Sequence, residues 1–139
     1  MSSEMSKEVA DWIQTRGVGA LAEKMGIKVV ELSAQGGIAT MPVEGNTQPF
    51  GIVHGGAYVV LAESLGSMAA NIAAGPGRHA VGIEINASHT KSCSAGLVTA
   101  TAKAISLGKN LTTHEVVITD EDGKRLSTIR ITNFLRDNR

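Results

Sequence analysis

The longest run of apolar and small residues spans residues 57–74 and contains no proline. Four large apolar residues recur there at the i, i+4, i+7, i+11 spacing of one helical face. They are Leu61, Leu65, Met68 and Ile72. The opposite face carries small residues, and Glu63 is the only charged residue in the run. Because a helix that is apolar or small all round is usually buried on all sides, the pattern predicts a buried central helix that carries one carboxylate.

Two other interpretations of this helix compete with a functional role. A membrane span is disfavoured, because the helix carries Glu63 and Asn71, is rich in Ala, Gly and Ser, and has no flanking aromatic belt. A structural ion pair is the second alternative. Buried carboxylates are almost always paired, so Glu63 can also be the partner of an Arg or Lys elsewhere, and the sequence leaves this interpretation open.

Six β-type runs flank the helix, two before it and four after it. They cover residues 27–32, 38–43, 79–90, 97–107, 111–120 and 125–134. Turn residues at 35–37 and 122–123 are hairpin signals, and sequential hairpins predict an antiparallel sheet. The first run after the helix alternates, which predicts one apolar face. That face consists of Val81, Ile83, Ile85 and Ala87.

The pattern of residues 1–24 predicts an N-terminal helical segment that precedes the sheet. Val9, Trp12 and Ile13 recur at helical spacing within residues 6–16, and residues 21–25 predict a second helical turn. We expect residues 1–139 to form one domain, because this length suffices for a single core and no linker or repeat interrupts it. No apolar run of signal-peptide type occurs at the start.

Charge and composition exclude several function classes. The 13 basic and 13 acidic side chains balance, which argues against a nucleic-acid or anionic-membrane partner. The 3% aromatic content argues against base stacking. The lone Cys93 predicts no disulfide and fits a reducing cytoplasm. No ligand spacing predicts a metal site, and no phosphate-binding or dinucleotide fingerprint occurs.

A long glycine-containing connection, residues 44–56, leads into the helix. Long ordered loops in small domains are often functional. Gly55 and Gly56 are expected at the helix start, where backbone N–H groups are unpaired and the dipole is positive. A carbonyl oxygen held there is stabilised as it becomes an anion. For His54 the sequence leaves two roles open, which are capping of the helix start and general-base catalysis.

Four segments together carry a family resemblance. They are Asn46-Thr47-Gln48-Pro49-Phe50-Gly51, His54-Gly55-Gly56-Ala57, Leu61-Ala62-Glu63-Ser64 and Val81-Gly82-Ile83-Glu84-Ile85-Asn86-Ala87. With them the chain resembles the hotdog-fold acyl-CoA thioesterases of the phenylacetate-pathway and 4-hydroxybenzoyl-CoA type, and it looks closest to the bacterial 1,4-dihydroxy-2-naphthoyl-CoA thioesterases. The resemblance extends from Met25 onward and implies an α+β fold, in which a curved antiparallel sheet wraps around one long helix.

The resemblance implies catalytic roles for five residues. Glu63 occupies the position of the family's helix carboxylate, which attacks the thioester carbonyl or activates water. Gln48, His54 and the Gly55 amide would surround the carbonyl, and Ser67 would help to place the water or the acyl group. Because two subunits contribute to each site in that family, the expected assembly is a homodimer or a homotetramer built as a dimer of dimers.

The implied substrate is an acyl-CoA with an aromatic or bulky acyl group, hydrolysed without a cofactor. The residues implied in substrate binding are Val59, Met68, Gly82, His89, Lys91 and Ser92. Val59 and Met68 would line the acyl pocket, and the last three lie at the nucleotide end of CoA. The sequence does not decide whether Glu63 acts as a nucleophile or as a general base.

Two other functions are compatible with such a fold. One is a hydratase or dehydratase that acts on acyl thioesters, which the helix position of Glu63 and the loop position of Gln48 disfavour. The other is an acyl-CoA binding module without catalysis. The intact set of Glu63, Gln48 and Gly55 disfavours this second alternative.

Overall fold

The computed structural model describes residues 5–139, so the first four residues of the predicted segment 1–24 lie outside the described residues. The helices and strands follow one another in the predicted order. The helices are α1 (Lys7–Arg16), α2 (Ala20–Lys24) and α3 (Gly55–Ala74). The strands are β1 (Lys28–Ser33), β2 (Gly36–Pro42), β3 (Arg78–His89), β4 (Leu97–Leu107), β5 (Leu111–Thr119) and β6 (Arg125–Asp137).

The strands form one antiparallel sheet in the order β1-β2-β4-β5-β6-β3. The pairs β1–β2 and β5–β6 confirm the two predicted hairpins. The expectation of consecutive hairpins after the helix is wrong for β3, which crosses to the far edge of the sheet and pairs with β6. The sheet wraps around α3, which contacts all six strands. This is the hotdog architecture that the resemblance implies.

One side of α3 packs into the core. Leu61, Leu65 and Met68 are buried there. Gly66 allows a close approach to β6, because a Cβ at this position would lie only 2.5 Å from Ile131 Cγ2. The helix and the sheet therefore meet at a separation that a larger residue at position 66 would not permit.

The other side of α3 is open in the single chain, so burial of this side stays a prediction that a second chain would have to fulfil. Glu63 is exposed and Ser67 is half-buried. By length and composition alone α3 could cross a membrane, but half of its apolar 18-residue window is buried inside the structure. That packing is typical of the core helix of a folded domain.

Strand β3 departs from the predicted alternation. Its register against β6 shifts between Gly82 and Glu84, which marks a β-bulge. Gly82 and Ile85 contact the α3 side of the sheet, whereas Val81 and Ile83 are exposed. The prediction that alternate residues from 81 to 87 share one face is therefore wrong, because the extra residue of a bulge interrupts the two-residue period.

Helix α1 is a peripheral element. It begins after Ser6, whose Oγ accepts a hydrogen bond from the Val9 N–H (3.2 Å). Val9, Trp12 and Ile13 are half-buried against the core, which confirms the predicted helical face. No residue of α1 is fully buried, so the sheet and α3 carry the core largely without it.

The contact between α3 and β6 predicts the effect of Gly66→Ala. Alanine favours the helix by about 1 kcal/mol, but its Cβ collides with Ile131, and overpacking of a core costs about 1–3 kcal/mol. We therefore expect a net loss of up to about 2 kcal/mol in the free energy of unfolding, measured by urea denaturation.

Ser64→Ala is the matched control, because it introduces the same helix former at a half-buried position of α3. This variant should be neutral or slightly stabilising. An unfolding free energy of Gly66→Ala at or above the wild-type value would contradict the close contact.

Candidate active site

Helix α3 begins at Gly55, two residues earlier than predicted, because His54 caps it. The His54 Nδ1 accepts a hydrogen bond from the Gly56 N–H (2.9 Å), and the His54 carbonyl accepts one from the Ala57 N–H (2.8 Å). The expectation that both glycine amides are unpaired is therefore wrong for Gly56. With Nδ1 as an acceptor, neutral His54 carries its proton on Nε2, and its exposed ring can donate outward.

The loop before α3 holds Gln48 at the N-terminal end of the helix. Thr47 and Val53 form an isolated antiparallel bridge, and the Gln48 N–H donates to the Ile52 carbonyl (2.9 Å). The Gln48 Oε1 accepts from the Phe50 N–H within the same turn. The loop is thus folded on itself, and Phe50 at its tip is 89% exposed.

His89, at the end of β3, lies against the first turn of α3. A Cβ on Gly55 would lie 2.9 Å from His89 Cδ2 and 3.0 Å from Nε2, so this packing requires glycine at position 55. The His89 Nδ1 lies 2.8 Å from Ser127 Oγ, and that hydroxyl donates to the Ser88 carbonyl (3.2 Å). Ser127 therefore accepts from the His89 Nδ1–H, which leaves the Nε2 lone pair beside Gly55.

Tyr58 packs against His89, with ring centroids 5.4 Å apart. Its side chain is buried, and its hydroxyl makes no hydrogen bond to any atom of residues 5–139. Burial raises the pKa of Tyr58 to about 12, so the phenol is neutral at physiological pH. Tyr58 supports the His89 ring and adds no charge to this end of the helix.

Glu63 lies further along α3 and faces the edge strand β3. A Cβ on Gly82 would lie 2.9 Å from Glu63 Oε2, so the carboxylate rests over a strand position that has no side chain. Among residues 5–139 Glu63 has no ion-pair partner. The interpretation of Glu63 as a structural acid therefore has no support within the described chain. The exposed carboxylate lies where α3 faces β3, and we call this place the groove.

Ser67, one turn beyond Glu63, contacts a residue that the sequence analysis missed. Its Oγ donates a hydrogen bond to Asn133 Oδ1 (3.1 Å). Asn133 is fully buried on β6, where its neighbours on the same face are Ile131 and Leu135. A polar residue within an apolar period-two pattern is a signal that the sequence carries and that could have identified it.

The predicted catalytic residues form two groups within the chain. Gln48, His54 and Gly55 lie at the start of α3, whereas Glu63 and Ser67 lie further along it. Glu63 lies eight positions after Gly55, which corresponds to about 12 Å along the helix axis. A carbonyl group in contact with the Gly55 amide is therefore out of reach of Glu63 in the same chain.

The predicted substrate residues are divided in the same way. Val59 is half-buried and Met68 is 8% exposed on α3. Lys91 and Ser92 are exposed in the segment that follows His89, so these residues lie towards the N-terminal end of the helix. Among residues 5–139, no group of three or more His, Cys, Asp and Glu side chains is arranged as metal ligands are.

Comparison with known proteins identifies the family. Residues 50–127, more than half of the chain, match the thioesterase superfamily. The chain belongs to the thioesterase superfamily. This thioesterase is 42% identical over 120 residues to the proofreading thioesterase EntH of Cronobacter turicensis, an alignment that covers 86% of this chain and 88% of the relative.

Two further relatives agree with this assignment. The thioesterase is 42% identical over 120 residues to a 1,4-dihydroxy-2-naphthoyl-CoA hydrolase of Listeria monocytogenes. The alignment covers 86% of this chain and 98% of the relative. The crystal structure of the thioesterase HI1161 of Haemophilus influenzae superimposes with a TM-score of 0.86 at 32% identity, over 99% of this chain and 96% of the other. These similarities confirm the predicted family, the fold and the assignment as a thioester hydrolase.

A cavity of about 690 Å³ in the thioesterase lies away from the candidate site, at the C-terminal end of α3. Trp12, Ile72 and His79 are among its lining residues, and none of the predicted catalytic residues contributes to it. Glu63 is instead exposed in the single chain. An enclosed site at Glu63 therefore requires a cover from outside the described chain.

The contact between Glu63 and Gly82 predicts the effect of Gly82→Ala. The new Cβ would displace the carboxylate oxygen, and because that oxygen ends a flexible side chain, Glu63 can turn away at little cost in stability. We expect an unchanged melting temperature and a loss of at least about tenfold in kcat for thioester hydrolysis, which equals about 1.4 kcal/mol of activation free energy.

Ala87→Ser, further along the same strand, is the control and should retain kcat. Activity is measured by the release of free thiol from a thioester substrate. Wild-type kcat in a folded Gly82→Ala variant would show that hydrolysis does not depend on the observed position of the Glu63 carboxylate.

Proposed function

We propose that the thioesterase hydrolyses an acyl-CoA with an aromatic or bulky acyl group to the free acid and CoA. The proposal depends on one observation above all. Glu63 is an exposed carboxylate without an ion-pair partner among the described residues, and it is the only charge on an otherwise apolar helix. The relative named as a 1,4-dihydroxy-2-naphthoyl-CoA hydrolase supports this substrate class.

In the proposed reaction Glu63 is the base or the nucleophile. Activated water, or the carboxylate itself, attacks the thioester carbonyl carbon, and negative charge collects on the carbonyl oxygen. The Gly55 N–H and the His54 Nε2–H are donors at the positive end of the helix dipole and can stabilise this charge. The C–S bond then breaks. Water supplies the second oxygen of the acid, and the proton that this water loses goes to the CoA sulfur, which leaves as a thiol.

The two ends of the groove suit the two ends of this substrate. Val59 and Ser67 are half-buried on α3 and can contact a ring or a branched chain, whereas Met68 is buried against the core. Lys91 and Ser92 are exposed and can contact the phosphates of CoA. The His89 ring packs on Gly55, so we assign it to the wall of the site near the thioester rather than to a phosphate.

We propose that two copies of the chain share each active site. The distance of about 12 Å between Gly55 and Glu63 along one helix prevents both from reaching the same carbonyl group. In a two-fold dimer with antiparallel α3 helices, Gly55 of one copy lies opposite Glu63 of the other when the axis passes near Val59, midway between them. Each dimer then contains two complete sites.

Exposed apolar groups support this assembly. The outer edge of β3 has no neighbouring strand in the sheet, and its Val81 and Ile83 are exposed, so a second copy can cover them. Phe50 projects from the loop that holds Gln48. Assembly into a tetramer remains a prediction, as does the cytoplasmic location, which the free thiol of Cys93 suits.

Release of free thiol from benzoyl-CoA and crotonyl-CoA separates this function from the two alternatives. A thioesterase releases thiol, a hydratase consumes the crotonyl double bond without releasing thiol, and a binding module does neither. The ratio kcat/KM across a panel of aryl- and alkyl-CoA thioesters should be highest for aromatic or bulky acyl groups. The absence of thiol release from every member of the panel would overturn the proposal.

Glu63→Gln should remove nearly all hydrolysis and leave the fold intact. The amide keeps the shape of the side chain but can neither accept a proton nor attack the thioester. We expect kcat to fall well below a tenth of the wild-type value, a change of more than about 1.4 kcal/mol. The melting temperature should not change, because Glu63 is exposed and forms no ion pair among the described residues.

Glu84→Gln is the matched control, since Glu84 is also exposed but lies on β3, where its carboxylate accepts hydrogen bonds from Asn86 Nδ2. This variant should keep wild-type kcat. If Glu63→Gln retains more than about a tenth of wild-type kcat, another residue is the catalytic group.

Subunit complementation tests the shared site. Glu63→Ala and Gln48→Ala homodimers should both be poor enzymes, because each site then lacks one group. After mixing and subunit exchange, activity should return, since a heterodimer contains one site with both residues and one site with neither. About half of the wild-type activity per heterodimer is the upper bound for independent sites.

Mass spectrometry of differently tagged subunits verifies that exchange has taken place. The same mixing of Glu63→Ala with a tagged Glu63→Ala chain is the control and should yield no activity. Verified exchange without recovery would mean that Gln48 and Glu63 of the same chain form each site.

A further inference from the structure

A row of polar residues crosses the sheet beneath Ser67 and Glu63. Thr112 on β5 lies directly opposite Asn133 on β6, and Asn133 lies opposite Gly82 on β3. Thr112 and Asn133 are fully buried. Most of the other buried residues of β5 and β6 are apolar, and the exceptions are His114 and Ser127.

Asn133 makes one hydrogen bond from its side chain, to the site residue Ser67. Its Oδ1 accepts from Ser67 Oγ (3.1 Å), while its Nδ2 has no hydrogen-bond partner within residues 5–139. A buried amide with an unpaired N–H destabilises a fold relative to an apolar residue of the same size. Packing therefore does not account for an asparagine at this position.

We propose that Asn133 is a positioning residue that fixes the orientation of the Ser67 hydroxyl for catalysis, an inference that rests on the proposed thioesterase function with Glu63. Because Ser67 donates its only proton downward to Asn133, its lone pairs face the half-exposed side of the helix. Ser67 is then an obligatory acceptor towards the groove, although a free serine hydroxyl could also be a donor.

This orientation matters for a water molecule that Glu63 activates. Residues four positions apart on a helix are neighbours, with their Cβ atoms about 5–6 Å apart, so one water can bridge Glu63 and Ser67. One proton of that water goes to the Glu63 carboxylate and the other is held by the Ser67 lone pair. A lone pair of the water oxygen is then directed at the thioester carbonyl carbon. The new C–O bond forms there as the proton passes to Glu63.

A double-mutant cycle between Asn133 and Ser67 tests the proposal. Asn133→Leu, Ser67→Ala and the double variant are compared by kcat, KM and melting temperature, with thiol release from the best substrate of the acyl-CoA panel. We expect Asn133→Leu to lower kcat about tenfold with KM within about twofold, and to leave the melting temperature unchanged or higher. The double variant should be no slower than Ser67→Ala alone, because both changes remove the same contact.

Thr112→Val is the matched control. Thr112 is equally buried in the same row, but no hydrogen bond connects its hydroxyl to Ser67 or to any other atom of residues 5–139. This variant should keep wild-type kcat. If Asn133→Leu does not fold, Asn133→Val, whose branched side chain suits a strand, replaces it in the cycle.

The outcomes separate this proposal from the proposed function. If the wild-type protein hydrolyses the thioester and the Asn133 variant keeps its kcat, the role of Asn133 is overturned and the proposed function stands. The same holds if the effects of the two single variants multiply in the double variant. A higher KM or a lower melting temperature with an unchanged kcat also overturns the role of Asn133, because these changes indicate a structural role. Absence of thiol release from the wild-type protein overturns the proposed function and, with it, the role of Asn133.

Discussion

The stiffness of α3 is the constraint on which the candidate site depends. An α-helix advances 1.5 Å per residue, so the separation of Gly55 and Glu63 is set once both lie on one helix. Contacts with all six strands hold this helix in the core. No motion of a single chain brings the two groups of residues together without breaking the core. A reaction that uses both groups would therefore draw on a second chain, in line with the shared site that we propose.

The lack of a side chain at three glycines creates close contacts in the core and at the candidate site. The absence of a Cβ lets Ile131 approach Gly66, His89 approach Gly55, and the Glu63 carboxylate approach Gly82. The first contact sets the separation of helix and sheet, and the other two place polar groups beside the backbone. Glycine thus permits a close approach both in the core and at the candidate site. In the core it brings apolar groups together, and at the candidate site it brings polar groups close to the backbone.

The sequence predicts the elements well and their arrangement less well. The apolar stripe from Leu61 to Ile72 marks the helix α3, and every strand falls within a few residues of its predicted range. The strand order could not be read from local patterns, because the pairing of β3 with β6 depends on how a connection crosses the sheet. The bulge at Gly82 likewise depends on cross-strand register. Glu63 stands out as a lone charge, whereas Asn133 is recognised only once its contact with Ser67 is seen.

The buried polar row shows how stability and catalysis compare in magnitude. An unpaired buried polar group costs about 1–3 kcal/mol of stability, and the same free energy applied to a transition state changes a rate by about tenfold to a hundredfold. A domain with a typical stability of about 5–15 kcal/mol tolerates such a cost at one position. We expect this cost in stability to be tolerated best where the surrounding core is well packed. Asn133 lies on the same strand face as Ile131, which is the residue nearest to Gly66 of α3. The tight packing of α3 on β6 therefore also supplies the rigid support from which a buried amide can orient a hydroxyl in the groove.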